Sequence, residues 1–274
     1  MLTVKVGGAA GIGFEGLVRD VARLWQTGTR MVLVHGGSNE TNELSDRLGH
    51  PPRFVTSPSG YTSRYTDRTT VDIFTMACQG SVNASLVEQL QTAGVNCVGL
   101  SGMDGRTLVG RRKNTVRSVE EGRVKILRDD YTGTVDQVNS QLLTMLLDYG
   151  LLPVLGPPAI SHEGVPLNVD ADRAAAAVAT ALKADSLIIL SNVPGLLAEY
   201  PDENSLVHDL PVTRIDEFMG LAEGRMRKKL LGAVEAVRGG VNRVLLGDAR
   251  MDEPITCALA GHGTAVHAGV AAAP

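Results

Sequence analysis

The sequence lacks several features that would place it among secreted or metal-binding proteins. It has only three cysteines in 274 residues, Cys78, Cys97 and Cys257, and no two of them share a C-x-x-C spacing. This scatter argues against a disulfide framework and against a thiolate zinc site. The six histidines are dispersed as well, with no HExxH pair. We therefore expect no metal site built by the protein itself.

Long apolar runs and a signal peptide are also missing. No apolar run approaches the roughly 18 residues that a membrane helix needs, and the N-terminus has no basic start followed by an apolar stretch. With a net charge of −4 and 43% hydrophobic residues, the chain has enough apolar material for a large core. We expect a cytoplasmic protein that does not bind a membrane.

Two common nucleotide-binding motifs are absent. No GxxxxGK[ST] P-loop occurs in the sequence. The stretch "GIGFEG" at residues 11–16 has the glycine spacing of a dinucleotide fingerprint, but it follows a loop rather than a strand, which makes it a chance match. These absences exclude a P-loop protein and argue against a dinucleotide-binding fold.

What the sequence does contain is an alternation of short β-branched runs with longer segments of helical period. The runs are "LTVKV", "RMVLVH", "NCVGL", "LPVLG", "SLIIL" and "NRVLLG", and the helical segments include residues 14–26 and 39–48. Nearly continuous apolar runs are typical of parallel strands that are buried on both faces. The pattern predicts an α/β fold in which helices sandwich an open, mainly parallel sheet.

One segment differs sharply in charge from the rest. Residues 106–128 contain eight Lys or Arg and two Glu, within a chain whose net charge is −4. Turn residues at Asn114 and at Glu121–Gly122 predict basic β-hairpins that project from the core. The charge is explained either by a solvated surface or by a docking surface for an acidic partner.

Three strand ends break into glycine, at Gly7–Gly8, Gly36–Gly37 and Gly102. Glycine lets backbone N–H groups approach a ligand without interference from Cβ atoms. In open α/β sheets, ligands bind at the carboxyl ends of the strands. Two such loops at neighbouring strand ends therefore favour a bound anion. Lys5 is then either a solvated lysine on an edge strand or a cation directed at that anion.

Two polar clusters lie farther along the chain. Asn168, Asp170 and Asp172 begin an alanine-rich helix, and three polar side chains exceed what helix capping requires. Lys228 and Lys229 lie with two arginines in the N-terminal region of another helix. Cations there oppose the helix dipole unless a negative ligand offsets them.

Seven segments together resemble the amino acid kinase family, and within it acetylglutamate kinase and its relatives. They read "VKVGG", "VLVHGG", "SRYTD", "GLSGMDG", "LNVDADRAA", "ILSNVPGLL" and "GRMRKKLLGA". The resemblance covers essentially the whole chain and implies ATP-dependent phosphorylation of a carboxylate by a homodimer. It also implies two lobes, with the amino acid substrate and the dimer contacts in residues 1–180 and ATP in residues 181–274. Mg²⁺ would be held mainly by the phosphates.

The same resemblance implies roles for individual residues. Lys5 and Lys229 match the two lysines that act on the transferred phosphoryl group, and Asp172 matches the acid that orients them. Gly8 completes the catalytic set by donating its N–H. The implied substrate-binding residues are Gly36, Gly37, Ser38, Arg64 and Asn168. The implied ATP-binding residues are Gly7, Asn192, Val193, Gly195, Met226 and Lys229.

Departures from the acetylglutamate kinase pattern bear on the substrate. Ser38 stands where that kinase has a third glycine, and "TSPSGYTSRYTD" replaces its usual "NGLRVT" form. Together with the basic segment, these departures make the sequence resemble one branch of the family. That branch phosphorylates 2-aminoadipate attached to a small acidic amino-group carrier protein in lysine biosynthesis. Glutamate, one methylene shorter, stays open as the carried amino acid. The candidate carrier-docking residues are Arg111, Arg112, Lys113, Arg117 and Lys125.

Three alternatives remain at this point. The first is N-acetyl-L-glutamate kinase of arginine biosynthesis, with the basic segment as ordinary surface. The second, a non-catalytic amino acid sensor of the same fold, is expected to lose Lys5, Asp172 or Lys229, and none is lost. The third, nucleic-acid binding, is disfavoured because the basic segment lacks interleaved aromatic residues and the whole chain is acidic.

Overall fold

The computed structural model describes residues 1–8, 11–58, 60–120, 122–222 and 224–269. The strands within them are β1 (Leu2–Val6), β2 (Met31–His35), β3 (Phe54–Thr56), β4 (Thr62–Arg64), β5 (Cys97–Ser101), β6 (Leu108–Arg112), β7 (Thr115–Glu120), β8 (Arg123–Arg128), β9 (Gly133–Val138), β10 (Leu152–Gly156), β11 (Pro158–Ser161), β12 (Pro166–Asn168), β13 (Ser186–Ser191), β14 (Asp209–Pro211), β15 (Arg243–Asp248) and β16 (Thr264–His267).

The α-helices within the same residues are α1 (Glu15–Gln26), α2 (Ser38–Arg47), α3 (Arg68–Thr75), α4 (Ala84–Thr92), α5 (Ser140–Asp148), α6 (Ala171–Ala181), α7 (Ile215–Met219), α8 (Gly224–Arg238) and α9 (Pro254–Leu259). A π-helical segment, Met76–Asn83, joins α3 to α4. In the part of the chain that is described, no helix has both the length and the hydropathy needed to cross a bilayer.

An eight-stranded sheet forms the centre of the fold, in the order β14-β16-β15-β13-β1-β2-β10-β5. Its neighbouring strands run parallel except for β15 and β16. Apolar side chains pack on both faces of the sheet: one core layer involves α6 and α8, and the other involves α1 and α4. The α/β fold with a mainly parallel sheet between helices is therefore confirmed.

Strand β1 lies in the middle of this sheet, between β13 and β2. In its register, Lys5 pairs with Ile189 and Val34, and both of these side chains belong to the core layer of α6 and α8. Lys5 is only 5% exposed. The interpretation of Lys5 as a solvated lysine on an edge strand is therefore wrong, because the strand is central and the side chain is buried.

Smaller sheets pack beside the central one. Strands β12, β11, β6 and β9 form a four-stranded sheet, while β3–β4 and β7–β8 are two antiparallel pairs. The predicted basic hairpin thus exists as β7–β8, although Glu121 in its turn lies outside the described residues. The other expected hairpin does not form, because β6 pairs with β9 and β11 instead of β7.

Candidate active site

A carboxylate held between two lysines lies at the carboxyl end of β1. Lys5 Nζ is 2.6 Å from Asp172 Oδ1, and Lys229 Nζ is 3.0 Å from Asp172 Oδ2. All three side chains are buried. The structure therefore brings together three residues that are 57 or more positions apart in the sequence.

Three different elements deliver these side chains. The register of β1 directs Lys5 to the sheet face covered by α6 and α8. Asp172 lies in the first turn of α6, where the side chain of Asp170 caps the helix by accepting from Asp172 N and Arg173 N. An ion pair between Arg173 and Glu235 links α6 to α8, which brings Lys229 on α8 within reach of Asp172.

The three charges perturb one another because little water reaches them. Burial by itself raises the pKa of Asp172, but the positive charges of Lys5 and Lys229 outweigh it and hold the pKa of that carboxyl below its usual range. Burial lowers the pKa of the Lys229 ammonium, the charge of Lys5 lowers it further, and Asp172 opposes both effects. With all three groups ionised, the cluster carries one net positive charge, which suits an anionic ligand.

The glycine loops after β1 and β2 lie in direct contact. A Cβ atom on Gly8 would be 2.5 Å from the backbone nitrogen of Gly37, and one on Gly36 would be 2.8 Å from the nitrogen of Gly8. No real Cβ contact is that short, so only glycine allows the two backbones to approach so closely. The residue type at these positions is set by this backbone contact.

Most polar groups of the two loops are used in holding the loops together. Gly36 N donates to Val6 O, Gly8 O accepts from Asn39 N, and Gly37 O accepts from both N and Oγ1 of Thr41. Among the hydrogen bonds of the described residues, none is donated by the N–H of Gly8 or of Gly37. Two neighbouring N–H donors, one of them at the start of α2, are an arrangement that binds anions.

Of the two residues predicted to bind the amino acid substrate, Arg64 lies directly beside these loops. Arg64 Nη2 donates to Ser38 O at 3.2 Å and to Asn42 Oδ1 at 2.6 Å, so its guanidinium lies against the first turn of α2. Asn168 lies at the end of β12, and its Nδ2 donates to Thr66 Oγ1 at 3.0 Å. That bond leaves the Asn168 carbonyl oxygen to accept a hydrogen bond from a ligand.

The predicted ATP residues lie around the carboxyl end of β13. Gly7 N donates to Leu190 O at 3.0 Å, which ties the first glycine loop to this strand. Asn192 is exposed and Val193 is partly exposed directly after β13, while Gly195 is buried against Thr264. Met226, on α8, packs against the core layer. The loop after β13 is thus adjacent to the loop that carries Gly8.

The five candidate docking residues fall into two groups. The Arg111 guanidinium forms an ion pair with Asp136 at 2.7 Å. The Arg112 Nε donates to Asp130 O, and its guanidinium stacks on Tyr131 at 3.7 Å from the ring centroid. Arg111 and Arg112 are therefore both engaged locally, although Arg111 is exposed and Arg112 only partly so. Lys113, Arg117 and Lys125 are exposed as well.

Hydrogen bonds connect the base of this basic hairpin to the substrate-binding candidates. Tyr65, which follows Arg64, donates from its hydroxyl to Arg128 O at 2.7 Å. Tyr131 accepts at its carbonyl from Asn168 N at 2.8 Å. The hairpin β7–β8 therefore rises directly beside Arg64 and Asn168.

Several polar residues at this edge of the sheet were missed by the sequence reasoning. His35 and Asn83 form a buried pair behind the second glycine loop, and the buried Nε2 of Gln79 has no hydrogen-bond partner among the described residues. Lys228 Nζ donates to Thr62 O at 2.6 Å. The sequence gave a signal for His35, directly before Gly36, and for Lys228, in the basic start of α8, but not for the contacts they make. These contacts depend on the π-helical segment and on packing between distant elements.

In the described parts of the chain, no three His, Cys, Asp or Glu side chains lie close enough together to hold a metal ion. Both oxygens of the central carboxylate, Asp172, are engaged by lysines. The donor set at the site consists of ammonium and N–H groups, which fit phosphate oxygens rather than a bare metal ion.

Residues 1–248 match the amino acid kinase family. The chain belongs to this family, as the motif resemblance implied. It is 58% identical to [LysW]-aminoadipate kinase of Deinococcus radiodurans, with 97% of this chain and 91% of that protein covered. It is 57% identical to [LysW]-aminoadipate kinase of Thermus thermophilus, with 97% and 100% covered.

The fold of this chain also matches solved structures. One of them is the crystal structure of smu.665 from Streptococcus mutans UA159, with a TM-score of 0.79 and 25% sequence identity. The match covers 97% of this chain and 98% of that protein's chain. The match extends over both halves of the central sheet. It agrees with the family assignment made from the sequence.

Proposed function

We propose that this protein is an ATP-dependent kinase that phosphorylates the side-chain carboxylate of 2-aminoadipate while the amino acid is attached to a small acidic amino-group carrier protein in lysine biosynthesis. The names of the two bacterial relatives, at 58% and 57% identity, support this substrate. The observation that carries the proposal is the meeting of Lys5 and Lys229 on Asp172, beside the N–H groups of Gly8 and Gly37.

The proposed reaction needs no general base. A carboxylate is already ionised at neutral pH, so one of its oxygens attacks the γ-phosphorus of ATP directly. The new bond joins that oxygen to phosphorus, the bond from phosphorus to the β,γ-bridging oxygen breaks, and the products are an acyl phosphate and ADP. Such a transfer depends on positioning and on stabilising negative charge.

In this proposal, the site groups act on different oxygens of the reacting phosphoryl group. Lys5 and Lys229 stabilise the charge on the transferred group and on the leaving oxygen, while Asp172 holds the two ammonium groups apart and in place. The N–H groups of Gly8 and Gly37 donate to phosphoryl oxygens. Mg²⁺, held mainly by the phosphates of ATP, supplies further charge neutralisation when it is bound.

Arg64 and Asn168 bind the acceptor in the same proposal. The guanidinium of Arg64 pairs with the free carboxylate of the amino acid, and the Asn168 side-chain oxygen accepts from the amide N–H that links the amino acid to its carrier. Gly36, Gly37 and Ser38 line the path between this end and the phosphoryl group. ATP lies along Gly7, Asn192, Val193, Gly195 and Met226.

The basic hairpin β7–β8 serves as the carrier-docking surface. It carries exposed Arg117 and Lys125, and exposed Lys113 lies two residues before it. Its base accepts a hydrogen bond from Tyr65, the neighbour of Arg64, and Tyr131, three residues after the hairpin, accepts from Asn168 N. An acidic carrier bound there would present its amino acid to the site over a short distance. Complementary charge also speeds the encounter of the two proteins.

The proposal extends to the organisation of the whole molecule. Strands from residues 1–180 occupy one end of the central sheet and strands from residues 181–274 occupy the other. The first set forms the lobe for the amino acid and for dimer contacts, and the second forms the ATP lobe. The working unit is a homodimer in the cytoplasm, and sedimentation should give a mass of two chains.

A hydroxamate trap tests the reaction and the substrate together. Acyl phosphate is measured with ATP and one of three acceptors: carrier-bound 2-aminoadipate, carrier-bound glutamate or free N-acetylglutamate. Signal with carrier-bound 2-aminoadipate alone supports the proposal, and signal with both carried amino acids broadens it. Signal with free N-acetylglutamate alone assigns the protein to arginine biosynthesis. No signal with any acceptor contradicts the kinase proposal.

A further inference from the structure

A chain of buried hydrogen bonds runs behind the second glycine loop. Asn83 Nδ2 donates to Val154 O at 3.0 Å and to His35 Nε2 at 2.9 Å, and His35 Nδ1 lies 3.0 Å from Gly36 O. His35 is fully buried and Asn83 is 4% exposed. The reaction described above does not use either side chain.

The direction of every bond in this chain is determined by its two ends. The carbonyls of Val154 and Gly36 can only accept, so both hydrogens of Asn83 Nδ2 are donated, one to Val154 and one to His35 Nε2. His35 must then carry its proton on Nδ1 and donate it to Gly36 O. Burial lowers the pKa of His35 to about 4, which keeps the ring neutral, and the hydrogen bonds at its two nitrogens set this tautomer.

The bond to Gly36 O controls the orientation of one peptide unit. Glycine on both sides of the Gly36–Gly37 peptide makes its rotation easy, because no Cβ atom restricts either residue. In a planar trans peptide, the C=O and the N–H point in opposite directions. With the Gly36 carbonyl accepting from His35 Nδ1, the Gly37 N–H points in the opposite direction, away from the His35 ring, and the Gly37 nitrogen lies beside Gly8.

The π-helical segment positions Asn83 for its hydrogen bonds to Val154 and His35. Asn83 is the last residue of that segment, and a Cβ atom on Gly99 would lie 2.0 Å from Asn83 Oδ1. The amide group is thus held between β5 and β10 with little room to turn. π-helical turns are rare in proteins and are frequently found at functional sites.

We infer that His35, oriented by Asn83, is a positioning residue that fixes the Gly36–Gly37 peptide so that the Gly37 N–H stays directed at the phosphoryl group. This inference deepens the proposed function and rests on it for the identity of the anion. His35 does not touch the substrate in this role. It acts through the Gly37 N–H, which is the group that contacts the phosphoryl oxygens.

Two matched substitutions separate this role from simple core packing. In His35→Asn, the side-chain Nδ2 can replace Nδ1 and still donate to Gly36 O. In His35→Gln, the amide is displaced towards the former Nε2 position and the donor to Gly36 O is lost. We expect His35→Gln to lower kcat about tenfold or more with little change in the KM for ATP, as for a lost oxyanion donor, and His35→Asn to keep most of the kcat.

A generic packing role predicts the opposite order or equal losses, because Asn leaves the larger void at this buried position. Equal kcat values for the two variants, or a lower kcat for His35→Asn, would overturn the inference. If His35→Gln does not fold, Asn83→Leu tests the same series of hydrogen bonds from its other end. It should lower kcat as well, and an unchanged kcat would count against the inference.

Crystal structures of the wild type, His35→Asn and His35→Gln provide a readout that does not depend on catalysis. We expect the Gly36 carbonyl to face residue 35 in the first two and to be rotated or mixed in the third. An unrotated peptide in His35→Gln overturns the inference. A wild-type protein that gives no acyl phosphate contradicts the proposed function, while the peptide orientation still tests the positioning role of His35.

Discussion

At the scale of single residues, the site is defined by a carboxylate that neutralises only one of two neighbouring ammonium groups. Lys5 and Lys229 both approach Asp172 within hydrogen-bonding distance. Holding two cations this close without a second anion is unfavourable, and a bound phosphoryl group would relieve the repulsion. The residues therefore form a site that is electrostatically complete only with an anionic ligand.

The first residue-scale prediction concerns Lys5. We expect Lys5→Ala to lower kcat by about 10²-fold or more, because a buried cation that acts on the transferred phosphoryl group is a principal source of transition-state stabilisation. ADP release measured in a coupled assay checks it. Lys183→Ala is the control. Lys183 is exposed just before β13 begins, at the amino end of that strand and therefore opposite the site. Normal turnover in Lys5→Ala would refute the catalytic role.

The second residue-scale prediction concerns the stability contributed by Asp172. Its folded-state pKa is lowered from the ordinary 3.8, so this stability is present above about pH 4 and is lost as the pH falls towards the folded-state pKa. We expect Asp172→Asn to reduce the free energy of unfolding at pH 7 by about 3–5 kcal/mol, because two buried ammonium groups lose their partner.

Urea unfolding of the wild type and of Asp172→Asn at a series of pH values measures this effect. The difference between the two should be largest at neutral pH and should shrink below pH 4. Asp216→Asn is a suitable control, since Asp216 is an exposed carboxylate on α7. A difference that stays constant down to pH 2 would show that the ionised carboxylate is not the source of the stability.

At the scale of elements, the basic hairpin β7–β8 has charge that its own fold does not require. The guanidinium of Arg112 is stacked and hydrogen-bonded at the hairpin base, but Arg117 on β7 and Lys113, two residues before β7, are exposed. Side chains that pack locally define the hairpin, whereas exposed cations are available to an acidic partner. The two groups should therefore respond differently to substitution.

The element-scale prediction follows from this division. We expect Lys113→Gln and Arg117→Gln each to raise the KM for the carrier-bound acceptor about two- to fivefold, as is typical of exposed charge pairs, without changing the KM for ATP. Initial rates at two salt concentrations provide the measurement. Added salt should raise the wild-type KM for the carrier-bound acceptor and reduce the difference between the wild type and the variants. Lys183→Gln is the matched control. Equal effects on both substrates would exclude docking at this hairpin.

At the scale of the whole molecule, helix α8 contacts the β3–β4 hairpin across the site. Lys228 on α8 donates to Thr62 O on β4, and Arg227 lies 5.7 Å from the centre of the Tyr61 ring. These contacts join the β3–β4 hairpin, which carries Arg64, to the helix that carries Lys229. They link the region proposed for the amino acid to the region proposed for ATP.

The whole-molecule prediction tests this link. Lys228→Met removes a charge-assisted hydrogen bond while keeping most of the side-chain length, so we expect the KM for the acceptor to rise about three- to tenfold through displacement of β4 and Arg64. Lys228→Arg should retain a donor and behave nearly as the wild type. Acceptor KM values that are identical in all three proteins would indicate that the link has no functional effect.

Much of the architecture and of the chemistry was predictable from the sequence. The strand and helix periods are local, so the order of elements and the parallel sheet followed from them, and Lys5, Asp172 and Lys229 stood out as charged residues beside glycine or helix starts. The expected hairpin between β6 and β7 was wrong because strand pairing depends on partners far away in the chain. Strand β6 found better partners in β9 and β11.

The sequence by itself determined which groups the protein can offer: glycines that allow two loops to touch, two lysines, and a carboxylate at a helix start. Only the tertiary structure decided that these groups share one site, and that His35 meets Asn83 behind it. The physical reason is that periodicity and capping act over a few residues, whereas side-chain contacts between residues 35 and 83, or 5 and 172, arise only when sheet register and helix packing bring distant segments together.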